Sequence, residues 1–189
     1  MSDNVYLGNP NLKKANTPIE FTEENVIEFV KCKNDPVYFA RKYIKIVSLD
    51  EGLVPFNMYD FQEKLIHRFH ENRFNICKMP RQTGKSTTCV AYLLHYSVFN
   101  DNVNIAILAN KASTARDLLG RLQLAYENLP TWMQQGIISW NKGSLELENG
   151  SKISANSTSS SAVRGGSYNV IFLDAVSYTH LTLPTKRIV

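Results

Sequence analysis

Nine residues, Met79-Pro80-Arg81-Gln82-Thr83-Gly84-Lys85-Ser86-Thr87, decide how this sequence is interpreted. They follow a short apolar run, residues 74–79, and precede a second apolar run, residues 88–96, with helical character. The order strand, turn, helix with Gly-Lys-Ser at the turn is typical of a phosphate-binding loop. Gly84 has no β-carbon, so backbone N–H groups can approach phosphate oxygens, and the following helix presents its N-terminus to the anion.

Two side chains of the loop indicate which ligand it would hold. Lys85 is expected to reach the β- and γ-phosphates of ATP, and Ser86 to place its hydroxyl on Mg²⁺. The match to the usual pattern is partial, because that pattern has a glycine five positions before Gly84, where this chain has Met79. A surface turn that happens to carry a lysine is the alternative. The flanking strand and helix patterns favour the phosphate loop.

Composition bounds the remaining possibilities. The chain has 189 residues, 43% of them hydrophobic, which predicts one domain with one buried core. No apolar run approaches the roughly 18 residues of a membrane span, and the polar N-terminus does not resemble a signal peptide. The three cysteines lack metal-ligand spacing and are expected to be buried thiols in a reducing compartment. The net charge of +4 is too small to indicate nucleic acid binding by itself.

The stretch before the loop predicts helices. Residues 1–20 are expected to be a loose lead-in. Thr22, with acidic residues after it, is expected to cap a helix, and Asp35-Pro36 predicts the start of a second helix. Apolar residues at helical spacing predict a third helix from about Tyr59 to His70.

Gln62 lies in this third helix and has two interpretations. In an ordinary packing helix it would be an exposed polar residue without a task. Its amide also offers a donor and an acceptor side by side, which can pair with an adenine edge. A glutamine just upstream of the phosphate loop could recognise ATP in this way.

The stretch after the loop predicts an α/β pattern. Asn149-Gly150 is the strongest hairpin signal in the chain. A buried run at residues 169–174 is typical of a parallel strand and ends in Asp174, at the edge where open α/β sheets bind ligands. Asp174 is therefore expected to hold Mg²⁺ through water or to hold Ser86. The other predicted elements are strands at 103–109, 136–140, 144–148 and 152–155 and a helix at 112–129.

A Ser-rich segment, residues 157–161, precedes Arg164 and Gly165. It is either a flexible connector or a mobile loop whose arginine meets a phosphate and senses nucleotide.

Taken together, these stretches resemble the N-terminal ATPase half of tailed-phage large terminase subunits, the DNA-packaging motors, of the T4-like type. The resemblance runs from about Leu12 to Asp174. That family has a phosphate loop that lacks the first glycine and uses Arg-Gln-x-Gly-Lys-[Ser/Thr]. The absence of a glycine at Met79 is therefore a feature that this chain shares with the family. The matching stretches are 58–62, 80–87, 136–137 with 140–144, 162–165 and 170–174.

The resemblance implies roles for single residues. Gln62 resembles the glutamine that recognises adenine. Arg81 resembles the arginine, supplied within the same chain, that senses or stabilises the γ-phosphate; otherwise it is a plain surface residue. Lys85 and Asp174 complete the catalytic group. The remaining ATP-binding positions of the loop are Gln82, Thr83, Gly84, Ser86 and Thr87.

One departure from the family concerns catalysis. The family follows its strand-end Asp with a Glu that activates the attacking water, and this chain has Ala175 there. Residues 176–189 resemble nothing in the family and look like read-through into adaptor DNA. A genuine alternative C-terminus is the other interpretation. The expected organisation is a loose segment at 1–20, a partial ATPase domain at 21–175 and a non-native-looking tail at 176–189.

We therefore expect an incomplete phosphate-loop NTPase fold, with a parallel sheet flanked by helices, N-terminal helices and a β-hairpin insertion. The resemblance implies a motor in the cytoplasm of an infected bacterial host, outside the virion, that uses ATP and Mg²⁺. It implies double-stranded DNA, the portal and prohead, and a small terminase subunit as partners, no membrane, and a homo-oligomer only when docked on the portal. The alternatives are a fragment of a helicase or restriction-type translocase and a nucleotide-binding module without catalysis.

Overall fold

The computed structural model describes residues 4–48, 50–158 and 166–174. Its main feature is a five-stranded sheet with strand order β6-β7-β8-β5-β9. The strands are β5 (Asn104–Ala109), β6 (Ile137–Trp140), β7 (Ser144–Leu147), β8 (Lys152–Ser157) and β9 (Val170–Asp174).

The sheet is mixed in direction. β8 and β9 each pair in parallel with β5, whereas β6, β7 and β8 are antiparallel neighbours. Gly150 (φ +78°) lies in the turn between β7 and β8, and its N–H donates to Leu147 O at 3.0 Å, which confirms the predicted Asn149-Gly150 hairpin. The hairpin strands thus extend the parallel part of the sheet, and the predicted α/β class with a hairpin insertion is confirmed.

Two long helices follow the phosphate loop and β5. They are α4 (Lys85–Phe99) and α5 (Ala112–Glu127). α5 buries a stripe that includes Leu118, Leu119 and Leu122 and packs on β5, β8 and α4. α4 is enclosed on nearly all sides, since eleven of its fifteen residues are buried. An apolar helix without a polar face belongs in the core.

The upstream helices are α1 (Glu23–Asn34), α2 (Pro36–Tyr43) and α3 (Asp60–Glu71), with a hairpin of β3 (Lys45–Ser48) and β4 (Gly52–Pro55) between α2 and α3. Both predicted helix starts are confirmed. Thr22 Oγ1 accepts the N–H of Asn25 at 3.2 Å, and Asp35 Oδ1 accepts two N–H groups of the first turn of α2 at 3.0 and 2.9 Å.

The N-terminal segment is packed, in contrast to the expected loose lead-in. β1 (Val5–Tyr6) and β2 (Asn9–Lys13) form a hairpin, and Leu12 is 3% exposed. Buried Gln134 accepts the N–H of Lys13 at 3.1 Å and donates to Asn11 O at 2.8 Å. The residues that make these contacts lie more than 120 positions apart in the sequence, so the local sequence pattern could not predict them.

The predicted strand at residues 74–79 is wrong. The segment is not part of any strand, and Phe74 and Ile76 are 84% and 97% exposed. A strand requires a neighbour for its backbone hydrogen bonds, and in the described part of the chain the sheet ends at β9 without pairing to this segment. Cys77 is accordingly exposed, which corrects the expectation of three buried thiols; Cys32 and Cys89 are buried.

Candidate nucleotide-binding site

The loop before α4 has an unusual backbone. Gly84 caps the helix with φ +73° and ψ 16°, in the left-handed region, and Gln82 has φ +63°. A β-carbon on Gly84 would also lie 2.5 Å from Gln62 Nε2. Glycine is therefore required at this position both by conformation and by the close approach of a neighbouring side chain.

Lys85 closes the loop on itself. Its Nζ donates to Met79 O at 3.0 Å and to Pro80 O at 2.6 Å. Thr83 Oγ1 donates to the same Pro80 oxygen at 3.0 Å. The ammonium group therefore lies at the inside of the turn, held by two carbonyls that a phosphate oxygen can replace as acceptor.

Ser86 and Asp174 meet although 88 positions separate them. Ser86 Oγ donates to Asp174 Oδ1 at 3.0 Å. The register of β5 and β9 pairs Ala109 with Asp174 at the carboxyl ends of two parallel strands, next to the start of α4. A hydroxyl and a carboxylate oxygen are ligands that Mg²⁺ accepts, and Mg²⁺ commonly takes only one or two from the protein.

Gln62 is 3% exposed, so it is not the exposed polar residue of the packing-helix alternative. Its Oε1 accepts the N–H of Tyr59 at 2.9 Å, and its Nε2 donates to Thr83 O at 3.2 Å. These two contacts leave one N–H and one oxygen lone pair of the amide unused. Recognition of an adenine edge by Gln62 stays a prediction.

Sequence reasoning missed the contact between Gln62 and the loop. The available signal was the position of Gln62 as the third residue of α3, where a glutamine side chain often returns to the N-cap N–H. The usual Ser or Thr at the cap is replaced by Tyr59, which hid the pattern.

Arg81 lies in the turn and is exposed. Among the described residues, no hydrogen bond or ion pair engages its guanidinium group, so its predicted role toward the γ-phosphate stays a prediction. Arg164, Gly165 and Ala175 lie outside the described residues, and so does the tail at 176–189. The roles and the domain boundary predicted there stay predictions as well.

Residues 76–180, more than half of the chain, match the model of the family "Terminase large subunit, T4likevirus-type, N-terminal". This chain belongs to that terminase family. The match includes the whole phosphate loop, residues 79–87, and Asp174, so the resemblance that these motifs indicated is confirmed.

A solved terminase shares the fold. The chain is similar to the crystal structure of the HK97 bacteriophage large terminase, with a TM-score of 0.60 and 17% sequence identity. The similar region covers 75% of this chain and 30% of the HK97 chain, so this chain spans less than a third of the length of that protein. Among the described residues, no helix combines the length and apolar character that crossing a membrane requires.

Proposed function

We propose that this chain binds Mg-ATP at residues 79–87 and forms part of the ATPase of a terminase motor that moves double-stranded DNA into a prohead. The observation that carries the proposal is the 3.0 Å hydrogen bond between Ser86 and Asp174. It joins the start of α4 to the end of the parallel strand β9, where phosphate-loop enzymes place Mg²⁺.

The residues present fit this ligand. Lys85 would exchange the carbonyls of Met79 and Pro80 for β- and γ-phosphate oxygens. Ser86 and Asp174 would hold Mg²⁺, which neutralises phosphate charge when bound. The exposed guanidinium of Arg81 is available to the γ-phosphate.

Turnover is proposed to be slow in this chain. Ala175 has no group that accepts a proton, and a positioned general base typically contributes about 10²–10⁴ in rate. This same residue supports the second candidate function, a nucleotide-binding module without catalysis. Family membership favours the packaging motor over a helicase or restriction-type translocase.

The proposed partners follow from the family. They are double-stranded DNA, the portal of the prohead and a small terminase subunit, with homo-oligomers formed on the portal. The proposed location is the cytoplasm of an infected bacterial host.

The test is Mg-ATP binding by calorimetry or by a fluorescent ATP analogue. Replacing Lys85→Ala removes charge-assisted hydrogen bonds, typically about 1.5–3 kcal/mol, so affinity should fall roughly 10- to 150-fold. The matched control is Lys78→Ala, which removes the same charge from an exposed side chain just before the loop and should leave affinity unchanged. Equal affinity of Lys85→Ala and the unaltered chain would contradict the proposed site.

A further inference from the structure

The amide of Gln62 lies against the phosphate loop where the loop turns into α4. Its Nε2 donates to Thr83 O at 3.2 Å, and it occupies the space that a β-carbon of Gly84 would need. Its Oε1 is fixed by the N–H of Tyr59 at 2.9 Å. Both ends of the buried amide are thus held, one by α3 and one by the loop.

This contact sets the direction of a backbone donor. In a planar trans peptide the C=O and the following N–H point in opposite directions, and the described residues contain no cis peptide bond. Because Gln62 holds Thr83 O on the side of α3, the N–H of Gly84 is aimed away from α3. No hydrogen bond of the described residues takes up this N–H. It therefore belongs to the donors that a phosphate oxygen can use.

We propose that Gln62 is a positioning residue for the phosphate end of the nucleotide. Through Thr83 O it fixes the peptide whose N–H, on Gly84, faces the phosphates. This inference rests on the proposed function, and it assigns Gln62 an effect that does not depend on the base. If Gln62 only recognised the adenine edge, its replacement would leave the binding of a ligand without a base unaffected.

The experiment compares two probes, Mg-ATP and Mg-tripolyphosphate, each titrated into the unaltered chain and into Gln62→Met. Methionine keeps the length of the side chain and removes both amide contacts. Both probes should lose affinity by the same factor, about 5- to 10-fold, as expected when one aligned hydrogen bond and its ordering effect are lost. Discrimination between ATP and GTP is measured in parallel.

The matched control is Gln134→Met. Gln134 is also buried, at 2% exposure, and donates to Asn11 O in the N-terminal hairpin and to Leu129 O just after α5. This variant loses more buried hydrogen bonds than Gln62→Met does, four against two, and should still bind both probes like the unaltered chain. Where either variant is partly unfolded, the titrations are repeated in trimethylamine N-oxide, which favours the folded state.

Unchanged tripolyphosphate affinity in Gln62→Met, with or without a loss of ATP affinity, would overturn the positioning role. A similar loss of tripolyphosphate affinity in Gln134→Met would overturn it too, because the effect would then be general destabilisation. Failure of the proposed function has a different signature, since Lys85→Ala would then bind both probes as the unaltered chain does.

Discussion

His95, a buried histidine of α4, is expected to make folding sensitive to acid. His95 is 3% exposed, and its Nε2 lies 2.9 Å from Cys32 O. Its Nδ1 is buried and has no hydrogen-bond partner within the described residues. The ring packs against Phe39 and Phe99, with centroid distances of 5.4 and 4.9 Å. A charged imidazolium would therefore be poorly solvated in this position.

The pKa of His95 gives the size of the effect. Burial lowers the pKa from 6.5 to about 4, while the hydrogen bond to Cys32 O opposes the change. Since the folded pKa is the lower one, the unfolded chain binds the proton first as pH falls. The stability contributed by neutral His95 is complete above pH 6.5 and is lost progressively toward pH 4. The difference between 6.5 and about 4 corresponds to about 3 kcal/mol, at about 1.4 kcal/mol per pKa unit.

The assay is urea unfolding at a series of pH values from 7.5 down to about 4.5. We expect the free energy of unfolding to fall by about 1.4 kcal/mol for each pH unit below 6.5, and His95→Gln to remove most of this slope. His67→Gln, at an exposed histidine of α3, is the control and should keep the slope. Glu28 does not interfere, because burial would raise its pKa but hydrogen bonds from Lys42, Tyr43 and Tyr38 lower it to about 2, so its contribution is lost only in stronger acid. The same slope in His95→Gln as in the unaltered chain would refute the reasoning.

Three further predictions concern catalysis, stability and solubility. Replacing Ala175→Glu in a chain with a family-like continuation should raise single-turnover ATP hydrolysis by about 10²–10⁴, and equal rates would exclude the missing base as the cause of slow turnover. Gly120→Ala, at an exposed position inside α5 where a β-carbon meets nothing within 4 Å, should raise the free energy of unfolding by about 0.5–1 kcal/mol. Gly136→Ala should lower it instead, because its β-carbon would lie 2.5 Å from Ala15 Cα, and chemical unfolding of both variants checks the pair. The isolated chain should aggregate through the exposed apolar residues of segment 74–79 and through the sheet edge at β9. Ile76→Lys should therefore raise the soluble fraction in a centrifugation assay without changing stability. An unchanged soluble fraction would count against segment 74–79 as the cause.

Features that depend on neighbouring residues were predictable from the sequence. The caps at Thr22 and Asp35 are satisfied within three positions, and the hairpin at Asn149-Gly150 is set by two residues with special backbone preferences. The meeting of Ser86 and Asp174 was also predictable, although it is distant in sequence. A general rule places ligands at the carboxyl ends of parallel strands; Asp174 ends such a strand, and Ser86 lies in the first turn of the helix beside it.

Features that depend on a distant partner were not predictable. The apolar run at 74–79 has the composition of a strand, but strand formation requires a neighbour that composition does not supply. The contact of Gln62 with Thr83 crosses 21 positions and involves one side-chain donor and one backbone carbonyl, which leaves no periodic pattern. The packing of the N-terminal hairpin on Gln134 is of the same kind.

The enclosure of α4 has a consequence for how the loop can respond to a ligand. Downstream of Gly84 the chain enters a helix wedged into the core, which cannot shift without disturbing the surrounding packing. Upstream, residues 74–80 are mostly exposed and lie outside the sheet. The loop is thus anchored at one end only. Any rearrangement of the backbone on filling the site should therefore displace residues 74–82, including Arg81, and leave the backbone of residues 83–86 in place.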